Sequence, residues 1–124
     1  MTPHRIVLLA EDDEDVRELA LLALRRTGAD VIAVADGEAA VRAAAERPPD
    51  VAVLDVSMPG LDGYEVTRRL RGAPATAAAK ILLLTARVAE TDRERGRAAG
   101  ADGRLDKPFS PAELARRVEE LLDA

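Results

Sequence analysis

The sequence predicts an α/β protein built on a doubly wound (βα)5 parallel sheet, and three observations carry that reading. The short apolar runs Ile6–Ala10, Val51–Leu54 and Ile81–Leu84 lack polar alternation, as expected of strands covered on both faces. Each is followed by a stretch with helical spacing or helix-permitting composition, and alternating strands and helices pair in parallel through right-handed crossovers. The length of 124 residues suits one core and leaves no room for a second, so residues 1–124 are expected to form a single domain.

The elements follow in order. The first strand, Ile6–Ala10, stops at the acidic run Glu11-Asp12-Asp13-Glu14-Asp15. Val16, Leu19, Ala20 and Ala23 then recur at helical spacing up to Thr27, with Gly28 as the stop. Asp13, Glu14 and Asp15 are read only as acids that suit a helix N-terminus. Val31–Ala35 is a second β-prone run, Asp36-Gly37 a turn, and Glu38–Glu46 an alanine-rich helix ended by Pro48-Pro49. The third strand, Val51–Leu54, ends at Asp55, after which Met58-Pro59-Gly60-Leu61-Asp62-Gly63 breaks regularity. Val66 and Leu70 give the next helix an inward face before Gly72.

The fourth strand, Lys80–Leu84, ends at Thr85, and the helix-permitting stretch to Ala99 has a weak apolar face. Gly100–Gly103 turns into a minimal fifth strand, Gly103–Leu105, followed by Asp106-Lys107-Pro108-Phe109. In the last helix Ser110 and Glu113 form a capping box, Pro111 takes the first helical position, and Leu114, Val118, Leu121 and Leu122 make one stripe. At this size the flavodoxin-like strand order 2-1-3-4-5, with helices on both faces, is the expected arrangement.

Composition excludes several function classes. The net charge is −5 and the arginines are interleaved with acids, as in Thr91-Asp92-Arg93-Glu94-Arg95, so no basic stripe exists for direct nucleic-acid binding. With no Trp, one Tyr (Tyr64) and one Phe (Phe109), base stacking has almost no platform. The absence of Cys removes disulfide and thiolate-metal chemistry. No run approaches the roughly 20 apolar residues of a membrane span, and none resembles a secretory signal. A soluble cytoplasmic protein without membrane contact is expected, and His4, the sole histidine, reads as a tail residue with no site role.

Strand ends in a parallel sheet form one rim, and ligands bind in the crevice outside it. That rim collects Glu11, Asp12, Asp55, Thr85 and Lys107. Three neighbouring carboxylates repel one another without a cation, and an oxygen-only set favours magnesium over zinc or copper. Asp55 stands alone at its strand end and is the candidate nucleophile, since carboxylates can accept phosphoryl groups covalently. Lys107, Thr85 and the metal would meet the charge that phosphoryl transfer concentrates on oxygen.

From Ile6 to Leu122 the chain resembles the receiver domain of bacterial two-component response regulators. The resemblance rests on Glu11-Asp12 after the first strand, Leu54-Asp55 with Met58-Pro59-Gly60 and Asp62-Gly63 behind it, Thr85-Ala86, Gly100-Ala101-Asp102, and Lys107-Pro108-Phe109. It implies that Asp55 accepts a phosphoryl group from a sensor histidine kinase or a histidine phosphotransfer protein. Mg2+, with Mn2+ as a substitute, would be held by Asp12, Asp55 and the backbone carbonyl of Ser57, with Glu11 reaching it mainly through water. Lys107 would pair with a phosphoryl oxygen, and Thr85, with Ala86 beside it, would shift to meet another. The Lys107–Pro108 peptide is expected cis.

The resemblance further implies a signalling protein that is not a turnover enzyme, with only self-phosphorylation from small donors and self-dephosphorylation. Its output would pass to a downstream protein through a surface from Val88 to Leu122, with a homodimer as a further option. One position departs from the pattern: Arg104 stands where such domains usually carry Tyr or Phe. Burying a guanidinium is costly, so Arg104 is expected to stay outside and contribute charge to partner contacts, with loop movement around Thr85 to Val88 carrying the output.

Three other functions use related parts or the same fold. A haloacid-dehalogenase-like phosphohydrolase would want a second Asp two residues after its nucleophile, where this chain has Ser57. A non-phosphorylated receiver used only as an interaction module needs none of the rim residues, yet all are present. A flavin carrier of the same fold would want a hydroxyl-rich phosphate loop where this chain has acids.

Overall fold

The structure, a computed structural model, describes residues 4–86 and 90–124, the side chains of residues 90–93 aside. Five strands alternate with five helices: β1 (Ile6–Ala10), α1 (Glu14–Arg25), β2 (Asp30–Val34), α2 (Gly37–Glu46), β3 (Val51–Asp55), α3 (Gly63–Gly72), β4 (Lys80–Thr85), α4 (Glu90–Ala99), β5 (Gly103–Asp106) and α5 (Pro111–Leu122). All pairings are parallel and the strand order is β2-β1-β3-β4-β5, as the sequence predicts. Among the described residues, no helix is long and apolar enough to cross a membrane.

The apolar runs of the inner strands divide by the two-residue period of a strand. Leu8, Ala10, Ala52, Leu54, Ile81 and Leu83 face α2, α3 and α4, packing on Ala40, Ala44, Tyr64, Val66, Leu70 and Ala99. The alternate set, Val7, Leu9, Val51, Val53, Leu82 and Leu84, packs with Ala20, Ala23 and Leu24 of α1 and Leu114 and Val118 of α5. Two cores therefore share one sheet, which explains why the inner strands carry no polar alternation.

The helix ends are set by local chemistry. Asp13, Asp36, Asp62 and Ser110 each accept a backbone N–H from the first turn of the helix they cap. α1 stops at Arg25, short of the expected Thr27, because the Thr27 hydroxyl donates to the Leu24 carbonyl and Gly28 takes φ +83°. The inward face of α1 also differs from expectation. Leu19 is 43% and Leu22 62% exposed, while Ala20, Ala23 and Leu24 supply the buried face.

At the amino end of the sheet, Arg71 joins three segments. It donates to the carbonyls of Gly100 (2.9 Å), Ala77 (2.9 Å) and Ala79, and to Asp102 (2.8 Å). Asp102 in turn accepts from the Ile81 N–H at 2.7 Å. His4, beside Asp30, lies at this same end, away from the carboxyl-end rim.

Candidate functional site

The parallel register brings the carboxyl ends of β1, β3, β4 and β5 together. Ala10 aligns with Leu54, Asp55 with Leu84, and Thr85 with Asp106, so the residues that follow or end these strands fall on one rim. Asp55 and Thr85 are the last residues of β3 and β4, one residue longer than the apolar runs suggest.

Glu11 is fully buried, and Asp55 and Thr85 are nearly so, at 4% and 5% exposure. One carboxylate oxygen from each of Glu11, Asp12 and Asp55 lies within 4.8 Å of the other two. Opposite ligands of a six-coordinate magnesium ion stand about 4 Å apart, so three carboxylates at this spacing, with oxygen donors alone, fit a hard divalent cation after small shifts. Among the described residues this is the one acidic cluster of that kind.

Lys107 is the cation that faces these acids. Its Nζ stands 2.7 Å from Glu11 Oε1 and 3.2 Å from Asp55 Oδ1, bridging the two buried acids. Burial pushes the Asp55 carboxyl up, Glu11 pushes it further, and Lys107 opposes both, leaving it raised from 3.8 to about 7. Burial pulls the Lys107 ammonium down, but Glu11 and Asp55 together outweigh that, and its value lies above the usual 10.5. Three carboxylates share the pocket with one ammonium, which is the electrostatic demand a divalent cation meets.

Backbone groups complete the arrangement. The Ser57 N–H donates to Asp55 Oδ1 at 3.3 Å, the Asp13 N–H to Glu11 Oε2 at 3.1 Å, and the Lys107 N–H to the Thr85 carbonyl at 2.8 Å. The Lys107–Pro108 peptide is cis. Gly63 lets the first turn of α3 approach the end of β3: a Cβ there would lie 2.6 Å from the Asp55 carbonyl oxygen.

The five rim residues singled out in the sequence are thereby placed at one rim. Ala86 is exposed beside them and lines a mostly apolar groove of about 380 Å3 with Val16, Leu19, Lys107, Pro108 and Phe109. The sequence pattern hides this groove, because helical spacing puts Leu19 on the inward stripe of α1. Its position at the edge of that stripe was the available signal. Arg17 was missed too: its guanidinium Nη1 donates to the Glu11 carbonyl at 3.0 Å.

Arg104 does not project into solvent as expected. Its side chain is 21% exposed, and Nη2 pairs with Asp106 Oδ1 at 2.8 Å. Asp106 lies two residues along the strand on the same face and supplies the partner that makes partial burial tolerable. Arg104 Nη1 is buried with no hydrogen-bond partner among the described residues. The side chain borders an open cavity of about 330 Å3 shared with Gly96, Arg97 and Ala101. Of the surface expected to run from Val88 to Leu122, Val88 lies outside the described residues.

Comparisons with known proteins agree with this geometry. The family model for the response regulator receiver domain matches residues 7–119. The alkaline phosphatase synthesis transcriptional regulatory protein of Bacillus subtilis (strain 168) is 42% identical over 119 residues, covering 96% of this chain and 49% of that protein. The chain thus spans about half the length of the curated relatives it matches. A crystal structure of a putative response regulator from Chloroflexus aurantiacus J-10-fl superposes with a TM-score of 0.91 at 38% identity, covering 98% of this chain and all (100%) of the other. The receiver domain of a sensor histidine kinase from Pseudomonas aeruginosa PAO1 matches with a TM-score of 0.89 at 35% identity, covering 98% and 100% of the two chains. That structure carries a magnesium ion coordinated in its active-site cleft.

Proposed function

Because the chain belongs to the response regulator receiver domain family of two-component signalling, we propose that Asp55 is its phosphoacceptor and that residues 1–124 form one receiver unit. The observation that carries this is the buried Asp55 carboxylate, grouped with the Glu11 and Asp12 oxygens and facing Lys107 Nζ at 3.2 Å. An Asp55 oxygen attacks phosphorus, the donor's N–P bond breaks as the O–P bond forms, and the leaving imidazole keeps the electron pair and takes up a proton. Glu11, Asp12, Asp55 and the Ser57 carbonyl would hold Mg2+ or Mn2+, which supplies neutralisation of the phosphoryl charge. Lys107 binds a phosphoryl oxygen, and Thr85 with Ala86 beside it meets another.

The phosphodonor is a sensor histidine kinase or histidine phosphotransfer protein. Its approach is supported by the groove of Val16, Leu19, Ala86, Pro108 and Phe109, which is continuous with the site through Lys107. Covering such an apolar face suits a helix-bearing protein better than a small molecule. The output passes to a protein target over the α4-β5-α5 side, without turnover catalysis and without direct nucleic-acid contact. The transcriptional role in the name of the Bacillus relative belongs to that whole protein, about half of which this chain matches.

Incubation with Mg2+ and acetyl phosphate, followed by mass spectrometry, tests the reading. A single phosphoryl adduct on the wild-type chain that is lost in Asp55→Asn is the expected result. Steady hydrolysis of many phosphate esters would instead identify a phosphohydrolase. No adduct with any donor, a cognate kinase included, would leave a non-phosphorylated interaction module.

A further inference from the structure

Arg17 lies on α1, half-buried, one turn beyond the acidic loop. Its Nη1 donates to the Glu11 carbonyl at 3.0 Å and stands 3.5 Å from the Asp12 carbonyl. The chain here has left β1 and not yet entered α1, so neither ladder fixes these two peptide units. The other local contacts bracket the loop: the Glu11 N–H donates to the Val34 carbonyl at 3.1 Å, the Asp13 N–H to Glu11 Oε2 at 3.1 Å, and the Val16 N–H to Asp13 Oδ1 at 3.0 Å. Only the Arg17 guanidinium reaches the carbonyls of both acids whose side chains enter the pocket, among the described residues.

We propose that Arg17 is a positioning residue of the metal pocket, holding the Glu11–Asp12 backbone so that both carboxylates converge on Asp55. This rests on the metal and phosphoacceptor reading above. Arg17 touches neither the phosphoryl group nor the cation; it acts through the loop. Groups that orient metal ligands typically govern about ten- to a hundredfold in affinity.

Electrostatics alone predicts the opposite sign. A guanidinium beside a cation site repels the cation, so deleting it would tighten Mg2+ binding if charge were its whole contribution. A residue that only stabilised α1 would change the melting temperature and leave the affinity alone. The sign of the change in Mg2+ affinity therefore separates the three roles.

Isothermal titration calorimetry with Mg2+ on the wild type, Arg17→Met, Arg17→Lys and Arg25→Met reads that sign, with circular dichroism to confirm folding. Arg25 is exposed in the last turn of the same helix, so its variant repeats the charge change away from the loop. The expected result is about tenfold weaker Mg2+ binding in Arg17→Met and unchanged binding in Arg25→Met. Unchanged or tighter binding in Arg17→Met, or a wild type without measurable Mg2+ affinity, overturns the proposal. If Arg17→Met does not fold, Arg17→Lys decides on the same criterion: weaker binding supports the role and unchanged binding ends it. The phosphoacceptor reading fails separately, by absence of an adduct on wild-type Asp55, whatever Arg17 does to Mg2+ affinity.

Discussion

Replacing Asp55 by asparagine keeps the shape of a side chain that is 4% exposed while removing its charge. The carboxyl is raised from 3.8 to about 7, by burial first and Glu11 second. Its folded value thus lies above its unfolded value, so the stability it contributes is full below the unfolded pKa and is lost as the pH rises through about 7. The difference between 3.8 and about 7, at ~1.4 kcal/mol per tenfold change in proton affinity, bounds that loss at about 4 kcal/mol. Water at the pocket mouth and coupling to Glu11 and Lys107 reduce it, and about 2 kcal/mol is expected. Asparagine does not ionise and escapes the loss. In EDTA, urea unfolding followed by circular dichroism should show Asp55→Asn more stable than wild type by about 2 kcal/mol near pH 8, with a clearly smaller advantage near pH 5. Adding Mg2+ at about tenfold over its dissociation constant should return ~1.4 kcal/mol to the wild type. An advantage that is the same at both pH values, or a variant less stable than wild type near pH 8, would refute the reasoning.

Two further substitutions probe the surroundings. Gly63→Ala places a Cβ 2.6 Å from the Asp55 carbonyl oxygen, so it should destabilise by about 1–3 kcal/mol in urea unfolding and slow adduct formation with acetyl phosphate. A wild-type rate and midpoint would show that α3 yields without moving Asp55. Leu19→Asp puts charge into the groove from a side chain that is 43% exposed. It should lower phosphorylation by a cognate kinase about tenfold relative to that by acetyl phosphate, as expected for an interface anchor; equal effects on both donors would remove the groove from the donor's path.

Much of the architecture was legible because it follows from short-range rules. Ile6 to Ala10 and Val51 to Leu54 have the short, unalternating apolar pattern expected of strands buried on both faces, and Ser110-Pro111 with Glu113 mark the start of α5. The rim was legible because a parallel sheet converts sequence position after each strand into spatial proximity. What stayed hidden depends on side-chain direction. Leu19 fits a helical stripe by spacing, but the small residues Ala20 and Ala23 let α1 sit close to the sheet and turn Leu19 outward. Arg104 was expected outside on the general cost of burying charge, and Asp106 offsets that cost locally. Neither the Lys107 bridge to Glu11 nor the reach of Arg17 across the loop has a local sequence signature, since both require knowing where a long side chain ends.

Lys107 borders two spaces at once, the acidic pocket and the apolar groove, and its side chain is 22% exposed. The groove it lines is open to water. A protein donor seated in the groove would displace that water and lower the dielectric around the ammonium as it brought a phosphoryl group to the proposed acceptor. The same charge would then attract more strongly without moving. If Asp55 is the phosphoacceptor, a small donor would leave the groove wet and meet a screened lysine, so the shape of the donor's body, far from its phosphorus atom, would set the strength of the field that receives it.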